Sequence, residues 1–304
     1  MKLTLRQMQY FEALARTRHF AHAAEAVHVS QPALSAQIME MERRLGAKLF
    51  DRSRAGVYPT ALAERLLPAV IRILNETKAV EEMAESSAGL LAGKLRLGII
   101  PTIAPYVLPA LVPRAAERYP QLEFEIREGL TANLVEALLA REVDLLVAAL
   151  PVSDAGLEEQ FLWRDNFIIA KTPGAADVLT GPIQIDEIPA QRLLLLAEGH
   201  CLRDQALDVC GLRQEGKVFN FEATSMATLV QLVSSGMGLT LLPEMAVPFE
   251  NRDGALELVE FAEPCPSRDI GLVWRRGSQR IEDYIALGEL ITAVLASATQ
   301  KKAA

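Results

Sequence analysis

Cysteine and histidine are scarce in this chain, and long apolar runs are missing. Cys201, Cys210 and Cys265 are the three cysteines among 304 residues. None stands in a CxxC pair, which argues against a zinc site. The four histidines, His19, His22, His28 and His200, do not complete a ligand set either, so no metal and no cofactor is expected. No run of about 18 apolar residues exists, which excludes a transmembrane helix and a membrane partner. The start, Met1-Lys2-Leu3-Thr4-Leu5-Arg6, passes at once into a charged amphipathic pattern. It lacks the apolar core of a signal peptide, so a cytoplasmic location is expected and an exported solute-binding transport protein is not. Cytoplasmic thiols stay reduced, so structural disulfides are not expected.

A basic excess is also missing: the formal net charge is -8. Read alone, this argues against nucleic-acid binding. The charge is uneven, however. Residues 1–65 hold ten Lys or Arg against six Asp or Glu, a net of +4, which leaves -12 on the other 239. A basic head on an acidic body suits a modular nucleic-acid binder. Hydrophobic residues at 50% and charged residues at 23% are those of a globular protein. The length suits two or three packed units rather than one core. There is no internal repeat, and no low-complexity tract beyond the polar tail Gln300-Lys301-Lys302.

The head reads as helices. Leu5, Met8, Phe11, Leu14 and Ala15 make a helical stripe that breaks at Thr17-Arg18-His19. Residues 20–27 form a short second helix whose alanines permit close packing. Ser30 is a preferred N-cap, and Pro32 is tolerated in a first turn, so a third helix begins there and stops at Gly46. Leu34, Ile38, Met41 and Leu45 form its buried stripe. Residues 49–60 suggest a two-stranded wing, after which Thr60 caps a long helix over 61–89. That helix has the charge of an exposed, partner-seeking element rather than a core helix, and Pro68 kinks it or joins two helices.

A short helix, a tight turn and a capped helix make a helix-turn-helix. Such a helix fits the major groove, with its N-terminal side chains at base edges. The candidate DNA-binding residues are Ser30, Gln31, Pro32, Ser35, Gln37, Arg52 and Arg54. The amides of Gln31 and Gln37 can read adenine. Ser30 and Ser35 can bond bases or phosphates, and the two arginines suit backbone or minor-groove contact.

From Gly93 strands and helices alternate: strands at 94–100, 122–128, 143–149 and 269–275, and helices at 104–118, 131–140 and 281–297. This implies an α/β body of parallel sheets covered by helices.

The segment Gly199-His200-Cys201-Leu202-Arg203-Asp204-Gln205 is a candidate for redox chemistry. Cys201 sits at the start of a helix, where the dipole and a cation, Arg203 or His200, would lower a thiol pKa. A thiolate there can attack peroxide and become a sulfenic acid, which a second thiol resolves. Cys210 is the candidate. Across nine helical residues the two thiols stand roughly 13 Å apart, and a disulfide needs Cα atoms within about 7 Å. The bond would therefore require the segment to unwind, making oxidation a conformational switch. Two buried, inert cysteines are the competing outcome.

The string Ala24, Val27, Ser30-Gln31-Pro32-Ala33-Leu34-Ser35, Ile38, Met41-Glu42, Leu45-Gly46, Leu49-Phe50 and Arg52 resembles the LysR family of bacterial transcription factors. Leu62-Ala63 departs from that family's usual Ala-Gly, at a packing position. The resemblance covers the whole chain. It implies a winged helix-turn-helix over 1–60, a dimerising linker helix over 61–90 and a regulatory part over 91–304 built as two Rossmann-like lobes of the periplasmic-binding-protein type. Lobe I would be 91–164 plus 269–304, and lobe II 165–268. Effectors would act between the lobes, where Thr102 and Thr131 each lie near a helix start; simple N-capping is the competing account of both.

Further strings resemble the peroxide-sensing members of that family. They are Gly199 to Gln205, Ile100-Pro101-Thr102, Ala223-Thr224-Ser225, Gly238 to Pro243 and Ile270-Gly271-Leu272-Val273. That resemblance implies a peroxidatic Cys201, a resolving Cys210 and a peroxide pocket of Thr102, Thr131, His200, Asp204 and Arg268. Arg268 and Asp204 could equally be an ordinary ion pair, and Cys265, in a loop between two prolines, has no implied role. The implied partners are double-stranded DNA, hydrogen peroxide, copies of itself in a homotetramer, RNA polymerase, and glutaredoxin or thioredoxin as reductant. Such a protein is not an enzyme. The rivals are a LysR-type regulator of a small organic effector and, from another class, a thiol peroxidase.

Overall fold

Thr4 and Gln7 exchange hydrogen bonds at the start of α1 (Leu5–Thr17), each side chain taking the other's backbone N–H. Arg18 ends α1 in the left-handed conformation, and α2 (Phe20–Ala26) and α3 (Gln31–Leu45) follow. Ser30 stands at the N-cap of α3, but its side chain makes no capping bond; Gly46, at φ 73, ends the helix. Phe11, Leu14, Ala23, Leu34, Ile38, Met41 and Leu49 form a fully buried core. The wing is β1 (Phe50–Ser53) paired antiparallel with β2 (Gly56–Pro59). Thr60 caps α4 (Ala61–Glu85) through Ala63 N–H, and α4 runs unbroken through Pro68. Ala63 and Val70 of α4 pack into the head core, whereas Ile73 and Val80 are exposed.

The computed structural model describes residues 3–53, 56–85, 89–174, 179, 181–211 and 222–300. It divides into two units, Met1–Glu85 and Ser86–Ala304. Among the described residues no helix is long and apolar enough to cross a membrane. The end of the helix expected over 61–89 falls in part outside the described residues, since 86–88 are not among them.

The second unit begins with β3 (Gly93–Ile99), α5 (Ala104–Arg118), β4 (Leu122–Glu128), α6 (Thr131–Leu139) and β5 (Leu145–Leu150). The long β6 (Leu157–Lys171), β7 (Leu195–Leu196), α7 (Cys201–Val209), β8 (Glu222–Ala223) and α8 (Met226–Ser234) follow. It closes with β9 (Leu239–Pro243), α9 (Val247–Glu250), β10 (Glu257–Val259), β11 (Ser267–Arg275) and α10 (Ile281–Gln300).

The expected parallel sheets prove to be mixed. β3 pairs parallel with β4 and β5, and β7 with β8. β11 pairs antiparallel with β5 and β6, and β6 antiparallel with β9 and β10. Alternating strands and helices report the parallel crossovers but not a late strand that returns between two earlier ones. Gly271 lets β11 and β6 approach: a Cβ there would lie 2.4 Å from Gln160 O. β6 changes partner along its length, facing β11 up to Asn166 and β9 from Phe167. Two separate cores lie to either side. One gathers Leu97, Ile99, Val147, Leu272 and Leu287, the other Ile169, Leu195, Leu229 and Leu241.

Candidate functional site

Cys201 is the first residue of α7, with His200 at the N-cap. Gly199 makes the approach possible. Its φ is +93, and an added Cβ would stand 2.9 Å from Leu130 Cδ1. Thr102, Thr131, His200 and Cys201 line a small crevice together with Ile100, Pro101, Leu130 and Gly199. The two threonines come from the loop before α5 and the first turn of α6.

Neither threonine caps its helix; those positions belong to Ile103 and Leu130. Thr102 Oγ1 instead accepts a hydrogen bond from Arg268 Nη1 at 2.9 Å. Among the described residues Thr131 Oγ1 is buried without a protein partner of full hydrogen-bond geometry. The Cys201 sulfur is within its influence, and Thr131 favours the thiolate there. A buried hydroxyl with bonding capacity left over beside a thiol suits a site that takes a small polar ligand.

Burial pushes the Cys201 thiol above its ordinary pKa, against the lowering effects of Arg268, of Thr131 and of the Leu202 N–H, while Asp204 adds to the rise. The cation acting on the sulfur is thus Arg268, not the expected Arg203 or His200. Arg203 donates to Leu196 O at 3.0 Å. Burial lowers the His200 pKa, so that ring is neutral at pH 7.

Arg268 is fully buried, but its partner is Asp165 at 2.8 Å rather than Asp204. Asp165 also accepts Met245 N–H at 3.1 Å. Asp204 is exposed and does not line the crevice, although its charge reaches Cys201. The expected pocket is thereby revised: Thr102, Thr131 and His200 line it, Arg268 stands behind Thr102, and Asp204 lies outside. Asp165 went unread because its role depends on a neighbour a hundred residues away on β11; no local signal marks it.

Cys210 is the C-cap of α7, at the other end from Cys201, and both are free thiols. Burial raises the Cys210 pKa to about 11. Nine helical residues separate the sulfurs' backbones by roughly 13 Å, beyond the reach of a disulfide. Cys265 lies in the loop before β11, its thiol 3.7 Å from Phe167 O. Among the described residues no three His, Cys, Asp or Glu side chains gather to hold a metal ion.

In the head, Gln31, Pro32 and Gln37 are exposed on α3, Ser30 is exposed at its N-cap and Ser35 is half-buried. Gln37 Oε1 accepts from Gln7 Nε2 at 3.2 Å. The Arg54 expectation lies outside the described residues, and Arg52 is described only in its backbone, on β1. Glu42, unremarked as a functional group in the sequence, is buried and accepts Leu49 N–H at 2.8 Å and Phe50 N–H at 3.2 Å. It ties the end of α3 to the base of the wing.

The pattern of the bacterial regulatory helix-turn-helix protein, lysR family, matches residues 5–64, and that of the LysR substrate binding domain matches residues 88–296. The chain belongs to the LysR family. Among LysR relatives, a probable hydrogen peroxide-inducible genes activator from Mycobacterium avium is 39% identical over 98% of this chain and 96% of its own length. The DNA-binding transcriptional dual regulator OxyR of Escherichia coli is 35% identical over 96% and 95%. A full-length cysteine variant of OxyR from Pseudomonas aeruginosa has a similar structure, with a TM-score of 0.74 at 31% identity, covering 95% of this chain and 97% of that one. A hydrogen peroxide-bound OxyR variant from Corynebacterium glutamicum gives 0.65 at 33% identity over 99% and 96%. This LysR-family chain is therefore a regulator with a helix-turn-helix head and a two-lobed α/β body.

Proposed function

We propose that the chain is a homotetrameric, DNA-binding regulator that senses hydrogen peroxide through a reversible Cys201–Cys210 disulfide and controls oxidative-stress defence genes. The setting of Cys201 carries the reading. The thiol opens α7 in a crevice beside the buried Thr131 hydroxyl, which favours the thiolate, and a second thiol closes the same helix.

The Cys201 sulfur, as thiolate, attacks one peroxide oxygen. The O–O bond breaks and the leaving hydroxide takes a proton to become water, leaving a sulfenic acid. The Cys210 sulfur, losing its proton, then attacks the sulfenic sulfur. The S–S bond forms and the oxygen leaves as a second water. Two thiols supply the two electrons that reduce peroxide. Because burial holds the resting thiol protonated, the donors around the crevice act chiefly on charge developing in the transition state. Thr131 and Thr102 hold the oxygens, and Arg268 stabilises negative charge through Thr102.

The roughly 13 Å helical separation means that disulfide formation unwinds α7. The change of β6 partner at Asn166/Phe167 and the two separate cores support lobes of 91–164 with 269–304 and of 165–268. Their reorientation alters the spacing of the heads on DNA. Exposed Ile73 and Val80 on α4 suit a linker helix, read over 61–90, that pairs with another copy. Thus the regulator works in the cytoplasm with RNA polymerase as its target, and a glutaredoxin- or thioredoxin-type dithiol restores the reduced form by exchange.

Thiol mapping tests this. Reduced protein is treated with stoichiometric hydrogen peroxide, alkylated, digested and analysed by mass spectrometry. A linked Cys201–Cys210 peptide is expected within minutes. Free thiols persisting at both positions would sink the peroxide reading while leaving the head's role intact.

A further inference from the structure

We infer that Gln37 meets DNA as a hydrogen-bond donor alone, because Gln7 holds its amide oxygen inward; the inference rests on the DNA-binding reading above.

The Thr4 N–H can only donate, and it meets the Gln7 amide at 3.2 Å, so the atom there is Gln7 Oε1. The other end of the Gln7 amide is then its nitrogen, a donor, and it faces Gln37 at 3.2 Å. Gln37 must present its oxygen to it. Its own Nε2 is left outward, on an exposed side chain, with no protein group to receive it among the described residues. Gln7 is 1% exposed, and turning its amide over would set two donors against each other at the Thr4 N–H. A capping box at the start of α1 thus fixes the hydrogen-bonding sense of a side chain on α3.

A glutamine reads adenine with both ends, nitrogen to N7 and oxygen from the N6 amino group. Gln37 offers only the first. Its partner on DNA is an acceptor: a phosphate oxygen, or the N7 or keto oxygen of a base. The expectation that both glutamines read adenine narrows to Gln31, whose amide no such bond constrains among the described residues.

The test uses the full-length protein and a duplex that it selects from a random-sequence pool. That duplex and its single base-pair variants are titrated with wild type, Gln37→Met and Gln7→Glu. Gln37→Met is expected to weaken binding by roughly three- to tenfold, the worth of one hydrogen bond. An equal loss on every duplex identifies a phosphate; a loss centred on one base pair identifies a base acceptor, N7 or a keto oxygen. In Gln7→Glu the carboxylate accepts from both Thr4 N–H and Gln37 Nε2, which turns the Gln37 oxygen outward, so a similar loss is expected with Gln37 itself untouched. Thermal melting checks that this variant folds, and if it does not, Gln37→Met decides. Unchanged affinity of Gln37→Met for all duplexes, or a folded Gln7→Glu that binds as tightly as wild type, overturns the inference. A wild type that retains no duplex overturns the DNA-binding reading, and this inference with it.

Discussion

Arg268 donates to the Thr102 hydroxyl at 2.9 Å, and through that bond a fully buried cation stands one side chain behind the thiol crevice. The same guanidinium is neutralised by Asp165 at 2.8 Å. A charge held this way acts on Cys201 without becoming a surface group, and it links the loop before α5 to strands β6 and β11.

Removing one partner of that pair strands the other charge in the interior. Arg268→Met and Asp165→Asn, taken singly, are each expected to lower unfolding free energy by about 3–5 kcal/mol. The double variant should cost less than the two losses added. Urea denaturation of all four proteins measures the cycle, and strict additivity would show that the pair is not coupled.

Thr131→Val separates stability from reactivity. The hydroxyl already lacks a full hydrogen bond, so its loss should change stability by less than about 1 kcal/mol. Oxidation of Cys201 by peroxide should nevertheless slow severalfold, since the variant loses a donor to the sulfur and the oxygens. Stopped-flow kinetics beside a thermal melt distinguishes the two effects. An unaltered rate would remove Thr131 from the pocket.

The pH dependence follows from the raised Cys201 pKa. Below that pKa the sulfur is mainly protonated and unreactive, so the oxidation rate should climb with pH through neutrality and beyond the ordinary cysteine range. Arg268→Met, which removes a lowering influence, should move the rise to still higher pH. A rate already flat at pH 7 would mean that the thiol is ionised there, contrary to its burial.

Gly199→Ala puts a methyl group where the backbone is left-handed and Leu130 is 2.9 Å away. The expected cost is about 1–3 kcal/mol, with slower oxidation of Cys201 because α7 can no longer start in place. Denaturation and thiol-trapping rates measure both, and an alanine tolerated without loss would show that the turn has slack.

Glu42→Ala leaves the Leu49 and Phe50 N–H groups without their acceptor. The head should lose about 1–3 kcal/mol for these buried donors, and DNA affinity should fall as the wing loosens. Glu42→Gln keeps one acceptor oxygen and should restore much of both. Melting of the full chain with a parallel gel-shift titration checks this.

Much of the molecule was written in local sequence. The helices of the head follow from apolar spacing and from the stops at Arg18 and Gly46, because helix formation is decided within a few residues. The family string from Ala24 to Arg52, and the Gly-His-Cys string with a further cysteine nine residues on, were equally legible, since motifs are short and ordered. Tertiary structure decided what depends on distant neighbours. It placed β11 antiparallel between β5 and β6, because strand order is fixed by which hydrophobic faces bury one another rather than by chain order. It gave Arg268 to Asp165 rather than Asp204, and it set burial against charge at Cys201, raising a pKa that helix position alone would have lowered. It also turned the Gln37 amide through Gln7, thirty residues away. Periodicity, caps and motifs are properties of neighbouring residues. Desolvation, ion pairing and the sense of a hydrogen bond belong to whatever the fold brings alongside.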